Sequence, residues 1–168
     1  MTRLYAQPYD ISAVGFYFDS AEDYKTKADK CRNNYGDPVE EFEIQFIDGE
    51  RIDCAFADAF QLNQVNLVRF FDLVDEWEDH EKIRFIIANG ECGYRFNPDT
   101  DDIETLEVDI YEVDTLKQLA EQFVDEGLFG EVPKAFESYI DFDAIANDLS
   151  VDYAMTDIAG DRLAYRCG

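Results

Sequence analysis

Leu106-Glu107-Val108-Asp109-Ile110-Tyr111-Glu112-Val113 alternates apolar and acidic side chains. That period of two describes a strand with one face in a core and carboxylates on the other. Working downstream, Asp114 or Thr115 caps a helix that runs to about Glu126, where Gly127 stops it. Residues 141–149 form another helix. Residues 153–158 and 162–166, joined across Ala159-Gly160-Asp161, form a closing hairpin.

Upstream, the pattern changes twice. In residues 64–77, Val65, Val68, Phe71, Val74 and Trp77 recur at steps of three, with Leu67 and Phe70 widening the stripe. This is a helix with one apolar face, followed by a second helical stretch over 81–88. Gly90, Gly93 and Asn97-Pro98 then break the pattern. Further upstream, residues 4–7 and 14–18 read as strands. A helix over 21–34 starts at Ser20 as N-cap, with Asp23 at N3. Phe42-Glu43-Ile44-Gln45-Phe46-Ile47 alternates, and Asp48-Gly49 signals a hairpin turn. The fold class is therefore α+β in three small segments: 1–55 α/β with an antiparallel sheet, 56–98 helical, and 99–168 α/β with an antiparallel sheet.

The chain has 168 residues, with 39 Asp plus Glu against 14 Lys plus Arg, a net charge of −25. That excludes a domain that grips nucleic acid by covering phosphates, which needs a basic face. It also opposes docking on an anionic membrane. Hydrophobic residues make up 46% and aromatics 15%, too many for a disordered acidic chain. The charge is uneven: residues 96–161 hold 19 acids against only Lys117 and Lys134. Those acids are interleaved with apolar residues, as on folded elements with one carboxylate face.

A surface of like charges strains the compact state, so a use for its field is expected. A globule of this length has a radius of gyration of roughly 15 Å and a width of about 40 Å. Duplex DNA carries about 24 charges over that distance, at one per ~1.7 Å. The two charge totals match in size, which makes a phosphate-like array possible in quantity. An ordinary solvated acidic surface has the same composition.

Other chemistry is not indicated. Asp99-Thr100-Asp101-Asp102-Ile103-Glu104 opens like a calcium loop but puts Ile103 at the fifth position and Glu104 at the sixth. His80, the only histidine, sits in His80-Glu81-Lys82-Ile83-Arg84, which is not a zinc-binding H-E-x-x-H. Walker, G-x-S-x-G and G-x-G-x-x-G motifs are missing, and with 39 acids any carboxylate pair is uninformative. No metal, cofactor or catalytic residue is expected. Cys31, Cys54, Cys92 and Cys167 contain no C-x-x-C, so reduced thiols in a cytoplasmic protein are the expectation. No apolar run is long enough for a signal peptide or a membrane span.

The tail carries a more specific pattern: Gly130-Glu131-Val132-Pro133, then Tyr139-Ile140-Asp141-Phe142, Ala144, Ala146 and Asp148-Leu149. It resembles the C-terminal signature of the ArdA antirestriction proteins. Leu62-Asn63-Gln64-Val65-Asn66-Leu67 and the opening Arg3-Leu4-Tyr5 with Gly15-Phe16-Tyr17-Phe18 are similar to that family too. Residues 92–102 depart from its pattern. The resemblance implies an elongated mimic of bent B-form DNA, carried on conjugative plasmids and transposons, whose C-terminal segment pairs two chains. It further implies binding to the methyltransferase-specificity core of type I restriction-modification enzymes, with no cofactor, nucleic acid or membrane as partner.

On that reading the carboxylates standing in for phosphates are Asp72, Asp75, Glu76, Glu78, Asp79 and Glu81 in the helical segment. In the C-terminal segment they are Asp99, Asp101, Asp102, Glu104, Glu107, Asp109, Glu112, Asp114, Glu121, Asp125 and Glu126. Tyr139, Ile140 and Phe142 are expected in the core, and the 107–113 strand near the dimer contact. The rival reading is an acidic adaptor or chaperone for a basic partner protein.

Overall fold

The computed structural model describes residues 1–168 and divides them into two compact units, Met1–Ile86 and Ile87–Gly168. The fold is α+β, with one three-stranded antiparallel sheet in each unit.

In the first unit, β1 (Arg3–Pro8) lies between β2 (Phe16–Phe18) and β3 (Phe42–Asp48). Leu4 stands opposite Phe18 and Phe46, and Ala6 opposite Phe16 and Ile44, so one face is apolar throughout. Helix α1 (Ala21–Ala28) lays Tyr24 on that face, its ring 5.0 Å from Phe18 and 6.1 Å from Phe42. Ser20 caps it as expected, its hydroxyl oxygen accepting the Asp23 amide N–H at 3.1 Å. The helix ends at Ala28, not Asn34. The Asn33 side chain accepts the amides of Tyr35 and Asp37 and donates to Asp10, and so favours a turn over helix.

Asp48-Gly49 corrects a second expectation. No strand follows it; the chain turns into helix α2 (Arg51–Ala59) and β3 pairs back with β1. Ile52, Asp53, Phe56 and Ala57 are buried at helical spacing. Helix α3 (Leu67–Glu76) buries Leu67, Phe70 and Leu73, whereas Val65 and Val68 are exposed. The apolar stripe is thus centred on Leu67, Phe70 and Leu73, with Phe71, Val74 and Trp77 half-buried at its edge, and Val65 falls in the Asn63–Asn66 turn before the helix begins. Helix α4 (Asp79–Ile86) completes a cluster in which Phe56 meets Phe60, Phe70, Trp77 and Phe85 at 5.3–5.7 Å.

The second unit opens with a π-type turn, Ile87–Glu91, in place of helix up to Ala88. Strand β4 (Val108–Glu112) pairs with β6 (Asp161–Cys167), which pairs with β5 (Ala154–Ile158) in the expected hairpin. Helices α5 (Leu116–Asp125) and α6 (Phe142–Leu149) are capped by Thr115 and Asp141. Leu119, Phe123, Tyr153 and Ala164 form the core between helices and sheet, with Tyr111 and Val113 packed against it. So β4 has no wholly open acidic face: Tyr111 and Val113 share the face of Asp109 and meet the helices. Glu91, from the π turn, accepts from Tyr165 and Thr156, which face the other way.

Two further expectations are corrected. Tyr139 is 81% exposed, while Ile140 and Phe142 are half-buried. Cys92 and Cys167 are joined in a disulfide 75 residues apart; Cys31 and Cys54 are free thiols. In the chain-entropy account, closing a loop of that length stabilises by about 4–5 kcal/mol.

Candidate anionic partner-binding surface

The first unit carries 19 acids against 9 bases and the second 20 against 5. Many of the few cations are consumed internally. Lys117 meets Asp143 at 3.0 Å, Arg162 meets Asp157 at 3.2 Å, and Arg166 donates to Asp109 at 2.9 Å. The Arg166 guanidinium also lies over the Tyr153 ring, 5.3 Å from its centre. Each pairing leaves the remaining carboxylates less compensated.

The expected acids of the first unit lie on α3, on α4 and in the turn between them. The side chain of Gln64 fixes the approach to α3: its oxygen accepts the Phe42 amide at 2.7 Å and its nitrogen donates to the Glu40 carbonyl at 3.1 Å. With Leu67, Phe70 and Leu73 turned inward, Asp72, Asp75 and Glu76 are exposed. Asp72 to Glu76 spans about 6 Å of helix axis. Glu76 is shared with Arg69 at 3.2 Å. Glu78 lies 3.4 Å from His80. Glu81 accepts the Glu78 amide at 2.8 Å, the returning half of a capping box, and is half-buried. Glu78, Asp79 and Glu81 also oppose the positive end of α4.

In the second unit, Asp99, Asp101, Asp102, Glu104, Glu107, Glu112, Asp114, Asp125 and Glu126 are exposed; Asp109 and Glu121 are half-buried. Asp101 accepts the Asn97 amide at 2.8 Å and the Thr100 hydroxyl at 2.9 Å, and these bonds hold its carboxyl below the usual range. Asp102 caps the 3-10 turn Ile103–Thr105. Glu126 accepts from Gln122 at 2.8 Å. Lys117 is raised chiefly by its hydrogen bond to Asp143, with Glu121 adding its field.

The expected acids thus fall into two kinds. Glu76, Glu78, Glu81, Asp99, Asp101, Asp102, Glu104, Asp109 and Glu126 have partners within the fold. Asp72, Asp75, Asp79, Glu107, Glu112, Asp114, Glu121 and Asp125 have side chains with no hydrogen bond or ion pair to the rest of the chain. The expected acids form one set in each unit, six in Met1–Ile86 and eleven in Ile87–Gly168. Sequence reasoning missed Gln64 as a positioning residue, and missed Glu91, Asp143 and Asp157 as internal partners. Of these, only Asp157 was signalled, by the two-residue turn that sets it opposite Arg162.

No group of His, Cys, Asp and Glu is arranged to hold a metal ion, and no helix is long and apolar enough to cross a membrane. What the fold and site define is an acidic α+β protein whose regular elements hold carboxylates outward. A family model described as antirestriction protein (ArdA) matches residues 12–161. The chain belongs to the ArdA family, and antirestriction, directed at restriction-modification enzymes, is the function that membership carries. No curated protein matches the chain.

Proposed function

We propose that this protein mimics B-form DNA and occupies the DNA-binding groove of a type I restriction-modification enzyme in competition with duplex. Its exposed carboxylates take the places of phosphates in contacts to lysine and arginine of the methyltransferase-specificity core. Binding needs no cofactor and involves no turnover, and the working form is a homodimer in the cytoplasm.

The observation that carries this reading is the set of eight acids, seven exposed and Glu121 half-buried, whose side chains have no hydrogen bond or ion pair inside the fold. Six of them stand on α3, α4, β4 and α5, with Glu107 and Asp114 just outside β4. Many of the few cations are already paired within the fold, an arrangement that a merely solvated surface has no reason to adopt. Phosphate-reading sites bind through many small charge contacts, so each acid contributes little and the set contributes much.

The test is a competition assay with purified methyltransferase core, labelled target duplex and this protein, at two salt concentrations. Duplex and protein displace each other, and higher salt weakens the protein's binding. Single Asp→Asn changes have small effects, whereas a ten-acid neutralisation across both arrays abolishes competition. Unchanged inhibition after that neutralisation would falsify the mechanism. An adaptor for a basic partner differs in one respect: duplex does not compete its binding away.

A further inference from the structure

We infer that Val65 and Val68 form an apolar contact for the methylene stems of lysine and arginine side chains in the target's DNA-binding groove, beside carboxylates that take the charged heads. The inference rests on the DNA-mimic reading and adds to it a contact that no phosphate supplies.

Val65 is 89% exposed and Val68 61%. The fold asks for neither. Val68 stands on the solvent side of α3, where a β-branched residue is a weaker helix former than alanine, glutamate or lysine. With 3.6 residues to a turn, Val68, Asp72 and Asp75 fall within an arc of about 60° on the side of the helix opposite buried Phe70. They span about 10 Å of axis. Asp72 and Asp75 are exposed.

Val65 precedes the helix, in a turn that side chains hold in place. The Asn63 side-chain oxygen accepts the Val65 amide at 2.8 Å, and its nitrogen donates to the Gln61 carbonyl at 2.9 Å. The Asn66 side-chain oxygen accepts the Asn63 amide at 2.8 Å, and its nitrogen donates to the Phe60 carbonyl at 3.2 Å. Gln64 ties the same turn to Phe42 and Glu40. An apolar side chain presented on a fixed turn loses little freedom when a partner covers it.

The neighbouring carboxylates identify that partner. Lysine and arginine carry a charged head on an apolar stem, and an acid alone satisfies only the head. Val68 lies one helical turn before Asp72, so a side chain whose head reaches Asp72 or Asp75 lays its stem across Val68. Val65 lengthens the strip. Salt screens the charge contacts but not the apolar one. Part of the protein's affinity therefore survives salt that strongly weakens duplex binding.

The experiment measures direct binding of the full chain to purified methyltransferase core, and its competition with duplex, at roughly 50 and 200 mM salt. Val65→Thr/Val68→Thr keeps both shapes and exchanges a methyl for a hydroxyl on each. Both side chains are in solvent, so the thermal midpoint is unchanged. Binding weakens about five-fold at both salt concentrations, with the same salt dependence as the wild-type chain. For Asp72→Asn/Asp75→Asn the loss instead shrinks as salt rises. Val68→Glu separates the two accounts of this face: charge mimicry alone makes the added acid strengthen binding, whereas loss of the stem contact weakens binding at the higher salt.

Unchanged affinity of the threonine variant overturns the inference, as does a loss that disappears at the higher salt or tighter binding by Val68→Glu there. In each of those cases wild-type chain and duplex still displace one another, so the mimic reading stands. A wild-type chain that binds the core without being displaced by duplex overturns both.

Discussion

The Lys82 ammonium lies 2.7 Å from the Asp53 carboxylate, and both side chains are almost wholly buried, at 5% and 6% exposure. The pair joins α4 to α2. The Thr2 hydroxyl donates to the other Asp53 oxygen at 3.4 Å, which adds the entry to β1. This is the one place where a protein rich in surface acids puts a carboxylate inside.

Removing one partner strands the other charge in a dry site. Lys82→Ala is expected to cost about 3–5 kcal/mol of stability, and Asp53→Ala a similar amount. A joint replacement by apolar residues of like volume, Asp53→Leu with Lys82→Met, is expected to be near neutral. Urea unfolding of the three variants measures all of this. A Lys82→Ala loss below 1 kcal/mol would contradict a desolvated pair.

Gly15 is fixed by a close approach. A Cβ there would lie 2.4 Å from the Ala6 carbonyl oxygen and 2.5 Å from the Tyr5 hydroxyl. Tyr5 is in turn held against Tyr17, with ring centres 4.8 Å apart. The backbone oxygen cannot yield as a side chain could. Gly15→Ala is expected to lower stability by about 1–3 kcal/mol, read as a fall in the thermal midpoint.

The closing hairpin turns through Ala159 (φ 56°) and Gly160 (φ 105°). Both central residues are left-handed, as a tight hairpin demands, and alanine suits its position poorly. Ala159→Asn is expected to gain about 1 kcal/mol without altering the Arg162–Asp157 cross-strand pair. A thermal melt checks the gain, and a chemical-shift map of β5 and β6 checks the register.

That hairpin was legible because its turn chemistry is local, although the connection is two residues, Ala159-Gly160, and Asp161 already belongs to β6. Caps at Ser20 and Thr115 were legible for a similar local reason. What failed depended on distant partners. Asp48-Gly49 has hairpin chemistry, but the strand that β3 needs is β1, already in place from the chain's start. Glu107 to Val113 reads as one-sided only if Tyr111 is counted with the apolar set of the wrong face. Helices α5 and α6 cover the Tyr111 side; both were legible as helices, but which face of the strand they would cover was not. The site was legible as a list of acids; which of them were already engaged within the fold was not.

Alkaline pH is expected to loosen both units. Burial raises Tyr24 in the first unit, and burial raises Tyr111 and Tyr165 in the second, with Glu91 adding to Tyr165. A tyrosine whose folded pKa exceeds its unfolded one binds its proton more tightly when folded. Its stabilisation is complete below the unfolded value of about 10 and is lost as pH rises through the folded value. Urea unfolding from pH 8 to 11, with tyrosinate absorbance, follows the loss. Tyr24→Phe is expected to flatten the first unit's share.

The two kinds of surface acid make opposite predictions for stability. Asp72, Asp75, Asp114 and Asp125 have no internal partner, so the fold gains nothing specific from their charge and suffers the repulsion of their neighbours. Replacing them by asparagine is expected to raise stability by up to about 0.5 kcal/mol each while weakening competition with duplex. Asp102 and Asp141 cap helical turns. Their replacement by alanine is expected to cost about 0.5–2 kcal/mol. Unfolding and competition measured on the same variants separate an acid kept for a partner from one kept for the fold. If asparagine at the four unpartnered positions lowered stability as the cap losses do, those carboxylates would be serving the fold. The repulsion they cost would then need no external use to explain it.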